Sequence, residues 1–225
     1  MEQRRRIYEP FSPVFWRPAR NVVGLHEPFL RRQIESAASV SLRTRHGFII
    51  CQQREDEGFV DDFAVDADGT WADDGAALLI AVCSRLEARS GPRTVRVVTA
   101  HDDLAKSAML ESLSLHLAEH WWVRELVPTP MPNAAGASLP RRVEGPGFGG
   151  ILAAAPPVYD PGGPVFQAQH LADDADAALL ERSAAAAGAV LVVVPADPES
   201  ARAAGLRARG WTIASAWYVG WPALS

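Results

Sequence analysis

The chain is poor in the residues that mark secreted, membrane-spanning and nucleic-acid-binding proteins. It has two cysteines in 225 residues, Cys51 and Cys83, each among apolar neighbours (Ile49 and Ile50; Ala81 and Val82). That usage belongs to a reducing compartment, where Cys serves as a small buried hydrophobe, and it excludes a disulfide scaffold. No apolar run approaches the length of a membrane span, and the N-terminus, with Glu2 and no apolar core, does not read as a signal peptide. The expectation is a soluble, cytoplasmic protein with no membrane partner. Clustered positive charge is also scarce. The net charge is −5 and the only basic run is Arg4-Arg5-Arg6, which reads as a solvated terminus, so a nucleic-acid partner is not expected.

What the chain does have is itself twice over. Val97, Val98 and Ala100 reappear 96 residues later as Val193, Val194 and Ala196, Leu110 reappears as Leu206, and Trp121-Trp122-Val123 matches Trp217-Tyr218-Val219 at the same offset. Upstream, Ala76 to Leu79 matches Ala177 to Leu180 at an offset of 101, so the second copy is five residues shorter between helix and strand. Two copies, each most of a domain, indicate a tandem pair and not a solenoid. The expected division is an N-terminal domain over 1–127, a Pro- and Gly-rich linker over 128–148 and a shorter C-terminal domain over 149–225. With 48% hydrophobic residues there is enough apolar surface for two cores.

The opening 25 residues, with Pro10, Pro13 and Pro18 among Tyr8, Phe11, Phe15 and Trp16, read as extended and in need of something to pack on. A helix is expected over His26 to Ala38, then strands over Val40 to Arg45, Gly47 to Gln53 and Phe59 to Asp66. Strict alternation along the third strand puts Phe59, Asp61, Phe63 and Val65 on one face and Val60, Asp62 and Ala64 on the other. A loop, Asp68 to Trp71, leads to a helix over Asp73 to Ala88, stopped by Ser90-Gly91-Pro92. A strand (Thr94 to Ala100), a short helix (Leu104 to Leu113) and a strand (Leu115 to Glu125) complete the first copy. The second repeats the order with strands at Ile151 to Ala155, Val165 to Leu171, Val190 to Pro195 and Trp211 to Trp221, and helices at Ala175 to Ala187 and Ser200 to Arg209.

This order, together with Phe63-Ala64-Val65, Gly75-Ala76-Ala77-Leu78-Leu79 and the closing Arg209-Gly210-Trp211, resembles the GNAT superfamily of acyl-CoA-dependent N-acetyltransferases. The resemblance implies a mixed α/β (α+β) fold: two such domains in tandem, each a mostly antiparallel mixed sheet flanked by helices, the second degenerate. It also implies acetyl-CoA as cosubstrate and a small amine or peptide amine as acceptor. An intramolecular pseudo-dimer is expected, as a monomer or a homodimer of it. The alternative is a non-catalytic ligand-binding or interaction protein of the same fold.

In that family a turn of pattern Gln or Arg, two residues, Gly, one residue, then Gly or Ala holds the CoA pyrophosphate on its backbone N–H groups at a helix N-terminus. The matching positions are Ala72 to Ala77, where Gly75 and Ala77 fit, Ala76 lies between them, and Asp73 and Asp74 place negative charge against the phosphates. One such repulsion at about 4 Å costs about 1 kcal/mol in water and roughly 4 at an effective dielectric of about 20. Alternatively the two acids cap the helix themselves, for about 0.3–1 kcal/mol. The second copy reads Ala172 to Ala177 with three acids and no glycine, so no CoA site is expected there.

The resemblance places the backbone of Phe63, Ala64 and Val65 beside the cofactor, and Asp103 and Lys106 on the short helix near it, with Lys106 either reaching a phosphate or solvated. Asp61 and Asp62 stand where the family takes the amine proton with a carboxylate. Asp61 shares a face with Phe59 and Phe63, a setting that would raise its pKa by desolvation, unless it pairs with an Arg. In the second copy the same positions read Gln167 and Ala168. The family's acid, a Tyr on the short helix, falls on Leu110 and Leu206, neither of which can protonate a thiolate. His116 and His120 lack a third metal ligand, so no metal site is expected.

Overall fold

The structure is a computed structural model and describes residues 9, 13–67, 69–89, 93–127, 138–156, 158–172 and 176–222. In the first copy, helix α1 (Val22–Glu35) precedes strands β1 (Ser39–Arg43), β2 (Gly47–Arg54) and β3 (Glu57–Val65). A π-helical turn (Trp71–Gly75) opens α2 (Ala76–Ala88), followed by β4 (Thr94–Ala100), α3 (Leu104–Ser112) and β5 (His116–Glu125). The second copy runs β6 (Arg141–Gly145), β7 (Phe148–Ala153), β8 (Val165–Leu171), α4 (Ala177–Ala186), β9 (Leu191–Ala196), α5 (Ala201–Ala208) and β10 (Thr212–Gly220).

Two elements depart from the composition. Helix α1 starts four residues before His26, so Pro28 lies inside it instead of near its start. Arg141–Gly145, part of the stretch that reads as a linker, is a strand paired with β7, and Gly147 (φ 76°) supplies the left-handed residue of the turn between them. Residues 128–137 of that stretch lie outside the described residues.

The chain forms two compact units, and neither follows the order of the repeat. One contains Glu27–Ala118 and the chain from Ser215 on; the other contains the N-terminal stretch to His26 and Glu119–Ala214. The first unit's strands run β1-β2-β3-β4-β10: antiparallel, antiparallel, parallel, then antiparallel, with Tyr218 opposite Val97. The second unit's run β6-β7-β8-β9-β5 in the same senses, with Trp122 opposite Val194. In each unit the last place is thus filled by the closing strand of the other copy. The near-identity of Trp121-Trp122-Val123 and Trp217-Tyr218-Val219 is the reason either strand suits either place.

The partners of these strands confirm the correspondence. In the first unit the Tyr218 hydroxyl donates to Glu111 Oε1 of α3 (3.1 Å); in the second, the Arg207 guanidinium of α5 lies 5.3 Å from the Trp122 ring. The two pairs are equivalent: Tyr218 lies 96 residues after Trp122, and Arg207 lies 96 residues after Glu111. Helices α3 and α5 also end alike, with Ser114 (φ 66°) and Gly210 (φ 75°) left-handed and the next N–H bonded back to Leu110 O (3.0 Å) and Leu206 O (3.1 Å).

Each unit has its own core. In the first, Leu78, Leu79, Val82 and Leu86 of α2 and Met109 and Leu110 of α3 pack on Ile49, Val60, Val95 and Val97. In the second, Leu180 and Leu206 pack on Phe148, Phe166, Val192 and Val194. A further cluster in the second unit, on Val123, Leu191, Val193 and Ala214, is joined by Val14 and Phe15. There the aromatic start of the chain finds its partner. Trp16 is buried, its indole N–H donates to Ala214 O (3.2 Å), and its ring meets Tyr159 edge-on at 5.6 Å.

Candidate functional site

The opening that the first unit offers lies between β3 and β4. Their parallel ladder runs from Glu57 opposite Thr94 to Val60 opposite Val97 and stops there. The cause is on the other side of β3, where Ile50 pairs with Asp62 and Cys51 with Val60, so Asp61 is an extra residue, a bulge. A bulge bends its strand and disrupts the pairing locally, and β3 parts from β4 beyond it. Beyond Val60 and Val97 the ladder between β3 and β4 has no further pair.

Lys106 fills this gap from α3. It is only 1% exposed, and its ammonium donates to Val98 O at 2.7 Å, the first carbonyl beyond the last ladder pair. The same Nζ lies 5.1 Å from the Phe63 ring and 5.3 Å from the Trp71 ring, and these two rings meet edge-on at 4.9 Å. Cation–π attraction and the carbonyl bond offset part of the cost of burying the charge. Lys106 was expected at a phosphate or in solvent, and the structure puts it in neither place. It is the only lysine in the chain.

The turn that should cradle phosphate is closed on itself. The helix begins at Trp71 with Thr70 as N-cap, earlier than the Asp73 start read from the sequence. Thr70 Oγ1 accepts from the Asp73 N–H (3.1 Å) and donates to the Asp73 carboxylate (2.7 Å), while the Asp74 carboxylate accepts the Thr70 N–H (3.1 Å). The N–H groups of Asp74 and Gly75 both reach Thr70 O (3.0 and 3.1 Å), and that of Ala76 turns to Asp73 O and Trp71 O. The N–H groups of residues 73 to 76 are therefore spent inside the turn. Thr70 caps it with the Asp73 and Asp74 carboxylates bonded to Thr70, and the one further residue that a π turn holds is accommodated here. Gly75 has helical angles and is buried under the Trp71 indole: a Cβ there would lie 2.5 Å from Trp71 Cε3. Its smallness serves the ring. Ala77 is exposed, on the far side of the helix from that contact.

The two strand carboxylates are parted by the bulge. Alternation would put Phe59, Asp61 and Phe63 on one face, but the extra residue reverses the count. Phe63 joins Val60 in the helix-facing core, whereas Phe59 packs on Trp217 (5.4 Å) under the Arg54 guanidinium (3.6 Å from its centroid). Asp61 is exposed at the bulge and not enclosed between the two Phe rings; Asp62 is buried, opposite Ile50. Of the backbone expected beside a cofactor, Ala64 is buried and Val65 half-buried at the end of β3.

The second copy carries the same bulge, since Gly149 pairs with His170 and Gly150 with Ala168, leaving Gln169 extra. Counted from it, Asp61 and Asp62 correspond to Gln169 and His170, not to Gln167 and Ala168 as the sequence offset has it. No carboxylate stands there on either count. At the 96-residue offset that relates Leu110 to Leu206, Lys106 corresponds to Arg202, which is half-buried and whose guanidinium donates to Leu171 O, so the second unit has a cation bonded to a strand carbonyl at the matching place but no lysine.

Asp103 caps α3 by accepting the Lys106 N–H (3.2 Å). Leu110 and Leu206 are core residues, as their type requires. The phenol nearest α3 in the first unit comes from the other copy: Tyr218 is buried, and burial, which outweighs a hydrogen bond from Ser107, raises its pKa, with the Glu111 charge adding to the rise. Sequence counting along α3 alone could not find it. Burial likewise pushes the thiols of Cys51 and Cys83 up to about 12.

Comparison with known proteins gives the fold a name. No family model matches the sequence, and a search of curated proteins finds no match. Among solved structures, a protein of Thermoplasma acidophilum provisionally described as an acetyltransferase superposes with a TM-score of 0.59 at 11% identity, covering 95% of this chain and 87% of its own. Another from Pyrococcus horikoshii, described in the same provisional way, gives 0.53 at 9% identity, over 98% and 87%. A tandem GNAT protein from the clavulanic acid biosynthesis pathway gives 0.47 at 10% identity, over 84% and 85%. At these identities the likeness is one of fold. The chain has the fold of these two acetyltransferase-like structures, a mixed α/β architecture, as the resemblance of its repeat implies.

Proposed function

We propose that this protein keeps the acetyltransferase fold without the transfer reaction, and works as a non-catalytic ligand-binding or interaction protein. One observation carries this reading: the gap between β3 and β4, along the Phe63 to Val65 backbone that the resemblance puts beside the cofactor, holds the Lys106 ammonium bonded to Val98 O. The closed turn supports it. A pyrophosphate needs free N–H groups at a helix start, and here residues 73 to 76 bond within the turn while two carboxylates face the place the phosphates would take.

Acetyl-CoA-dependent N-acetylation of a small amine or peptide amine is the second reading. What favours it is the parting of β3 and β4 itself, with Asp61 exposed at its mouth as a carboxylate that could take a proton through water. On that reading Phe63 to Val65 and Gly75 to Ala77 line the cofactor, and Asp61 or Asp62 sets the pH dependence.

Titration calorimetry separates the two. Acetyl-CoA added to the full chain should give no saturable heat. A dissociation constant in the micromolar range would overturn the closed gap, and acetylation of an amine with release of free CoA thiol would favour the second reading.

A further inference from the structure

The first unit's sheet has β1 as its outer strand, with β2 on one side of it only. Gln53 N–H donates to Ala38 O (2.7 Å) and Thr44 N–H to Gly47 O (2.9 Å), so by alternation Val40 with Cys51 and Leu42 with Ile49 are the hydrogen-bonded pairs between these ends. The N–H and C=O groups of Ser39, Ser41 and Arg43 therefore point away from β2. Those of Ser39 are used: its N–H donates to Ser36 O (3.0 Å), and its carbonyl accepts from the Arg89 guanidinium (3.4 Å). Those of Ser41 and Arg43 have no partner among the described residues. The second unit's outer strand, β6, is guarded by charge, with exposed Arg142 and Glu144 alternating along it, 3.8 Å apart. Strand β1 carries one charge, Arg43 in its last position, next to a half-buried Leu42 that packs on the core.

We propose that this edge is an interface for a second copy of the chain, β1 pairing antiparallel with β1 about a two-fold axis at Leu42. The groups on the page select that register. With the axis at Ser41, Arg43 of one copy would need the Ser39 N–H of the other, which is already bonded. With the axis at Arg43, two guanidinium groups would face each other. With the axis at Leu42, Ser41 of each copy exchanges both its bonds with Arg43 of the other, and nothing is asked of Ser39. Leu42 then meets Leu42 on the face where α2 packs, which completes its burial. On the opposite face Arg43 of the second copy stands across from Ser41, whose Oγ is buried without a hydrogen-bond partner in its own chain. The pairing involves neither β3, β4 nor the turn before α2, so it does not depend on whether acetyl-CoA binds.

A short strand pair makes a weak dimer, so sedimentation equilibrium of the full chain from about 10 µM to about 1 mM should show reversible monomer and dimer. Ser41→Pro should remove the dimer and leave the fold, because the Ser41 N–H points outward and its loss costs β1 no bond to β2. Cysteine placement reads the register. Leu42 would face itself in a non-hydrogen-bonded pair, with Cα atoms about 4.5 Å apart and within disulfide reach. Ser41 would lie two residues out of register with its own copy, about 8 Å away and beyond that reach. Oxidation of Leu42→Cys should therefore give a covalent dimer on non-reducing electrophoresis roughly tenfold faster than oxidation of Ser41→Cys. The native thiols, Cys51 and Cys83, are buried and do not compete.

A chain that stays monomeric up to about 1 mM overturns the interface. So does a dimer that Ser41→Pro leaves intact, or one in which Ser41→Cys crosslinks as fast as Leu42→Cys. If these variants do not fold by circular dichroism, amide exchange of the native chain decides: the Ser41 and Arg43 N–H groups should exchange more slowly as concentration rises, and rates that do not change with concentration overturn the proposal. Heat on adding acetyl-CoA bears on the gap and not on this edge, so the two failures are told apart.

Discussion

Gly75 has φ −65° and ψ −50°, angles that suit alanine, and Gly→Ala inside a helix ordinarily gains about 1 kcal/mol. Here the Trp71 ring stands in the way, so Gly75→Ala should destabilise the chain by about 1–3 kcal/mol, the usual cost of overpacking. In a Trp71→Ala background the same substitution should become neutral or stabilising. Urea melts of the four proteins measure this coupling; additive effects would mean that Gly75 is glycine for another reason, such as approach of a phosphate. The thiols give a second prediction at this scale. Burial raises Cys51 and Cys83 from 9.0 to about 12, so the folded state holds both protons more tightly than the unfolded one. That contribution is fully present below the unfolded value of 9.0 and is lost as pH rises toward 12, so the urea midpoint should fall over that window, and less steeply in Cys51→Ala/Cys83→Ala. A midpoint equally pH-dependent in the variant would assign the loss elsewhere. At this scale the sequence was legible for residue types and not for directions. Gly75 and Lys106 were both singled out on family positions, but whether a lysine faces solvent or a gap depends on one bulge residue, Asp61, and no alternation rule contains it.

Among the elements, the chain's aromatic start behaves as an element without being a helix or strand. Trp16 is 7% exposed, bonds to Ala214 O and meets Tyr159, with Phe15 edge-on to it at 4.8 Å. Trp16→Ala should cost about 3–5 kcal/mol, the range for removing a buried Trp from a core. A thermal midpoint unchanged by that substitution would show that the segment does not hold the second unit's open face. The need of residues 13–18 for a partner was legible, because proline removes regular structure while the rings still require burial. The start of α2 was less so. Asp73 and Asp74 read as the cap, yet the cap is Thr70, whose hydroxyl reaches the Asp73 N–H. The Thr70-x-x-Asp73 spacing is the sequence form of a capping box, and it was masked by Trp71, the kind of large apolar residue that reads as loop or core but here stands on the first turn.

For the whole molecule, the repeat gave element order and fold, and what it could not give was the exchange of closing strands. Both copies end in Trp-aromatic-Val, so sequence is indifferent to which unit each strand joins. The compact units decide it, placing the chain from Ser215 with the first copy and Glu119 onward with the second. We therefore expect that residues 1–136 and 137–225, made separately, each lose the strand that fills their last place, can replace it only with their own β5 or β10, and are less stable than the full chain, whereas co-expression restores one soluble species. Residues 1–136 soluble alone with the full chain's melting temperature would refute the exchange. In the first unit the gap between β3 and β4 holds the Lys106 ammonium, with the Trp71 and Phe63 rings beside it, and on the proposed reading it admits no acetyl-CoA. The most direct measurement is the indole N–H cross-peak of Trp71 in a ¹⁵N-labelled full chain, assigned by Trp71→Phe, as acetyl-CoA is raised to millimolar concentration. The account predicts a cross-peak that does not move; a saturable shift of that peak would mean that the cofactor enters and displaces the ring, and would contradict it.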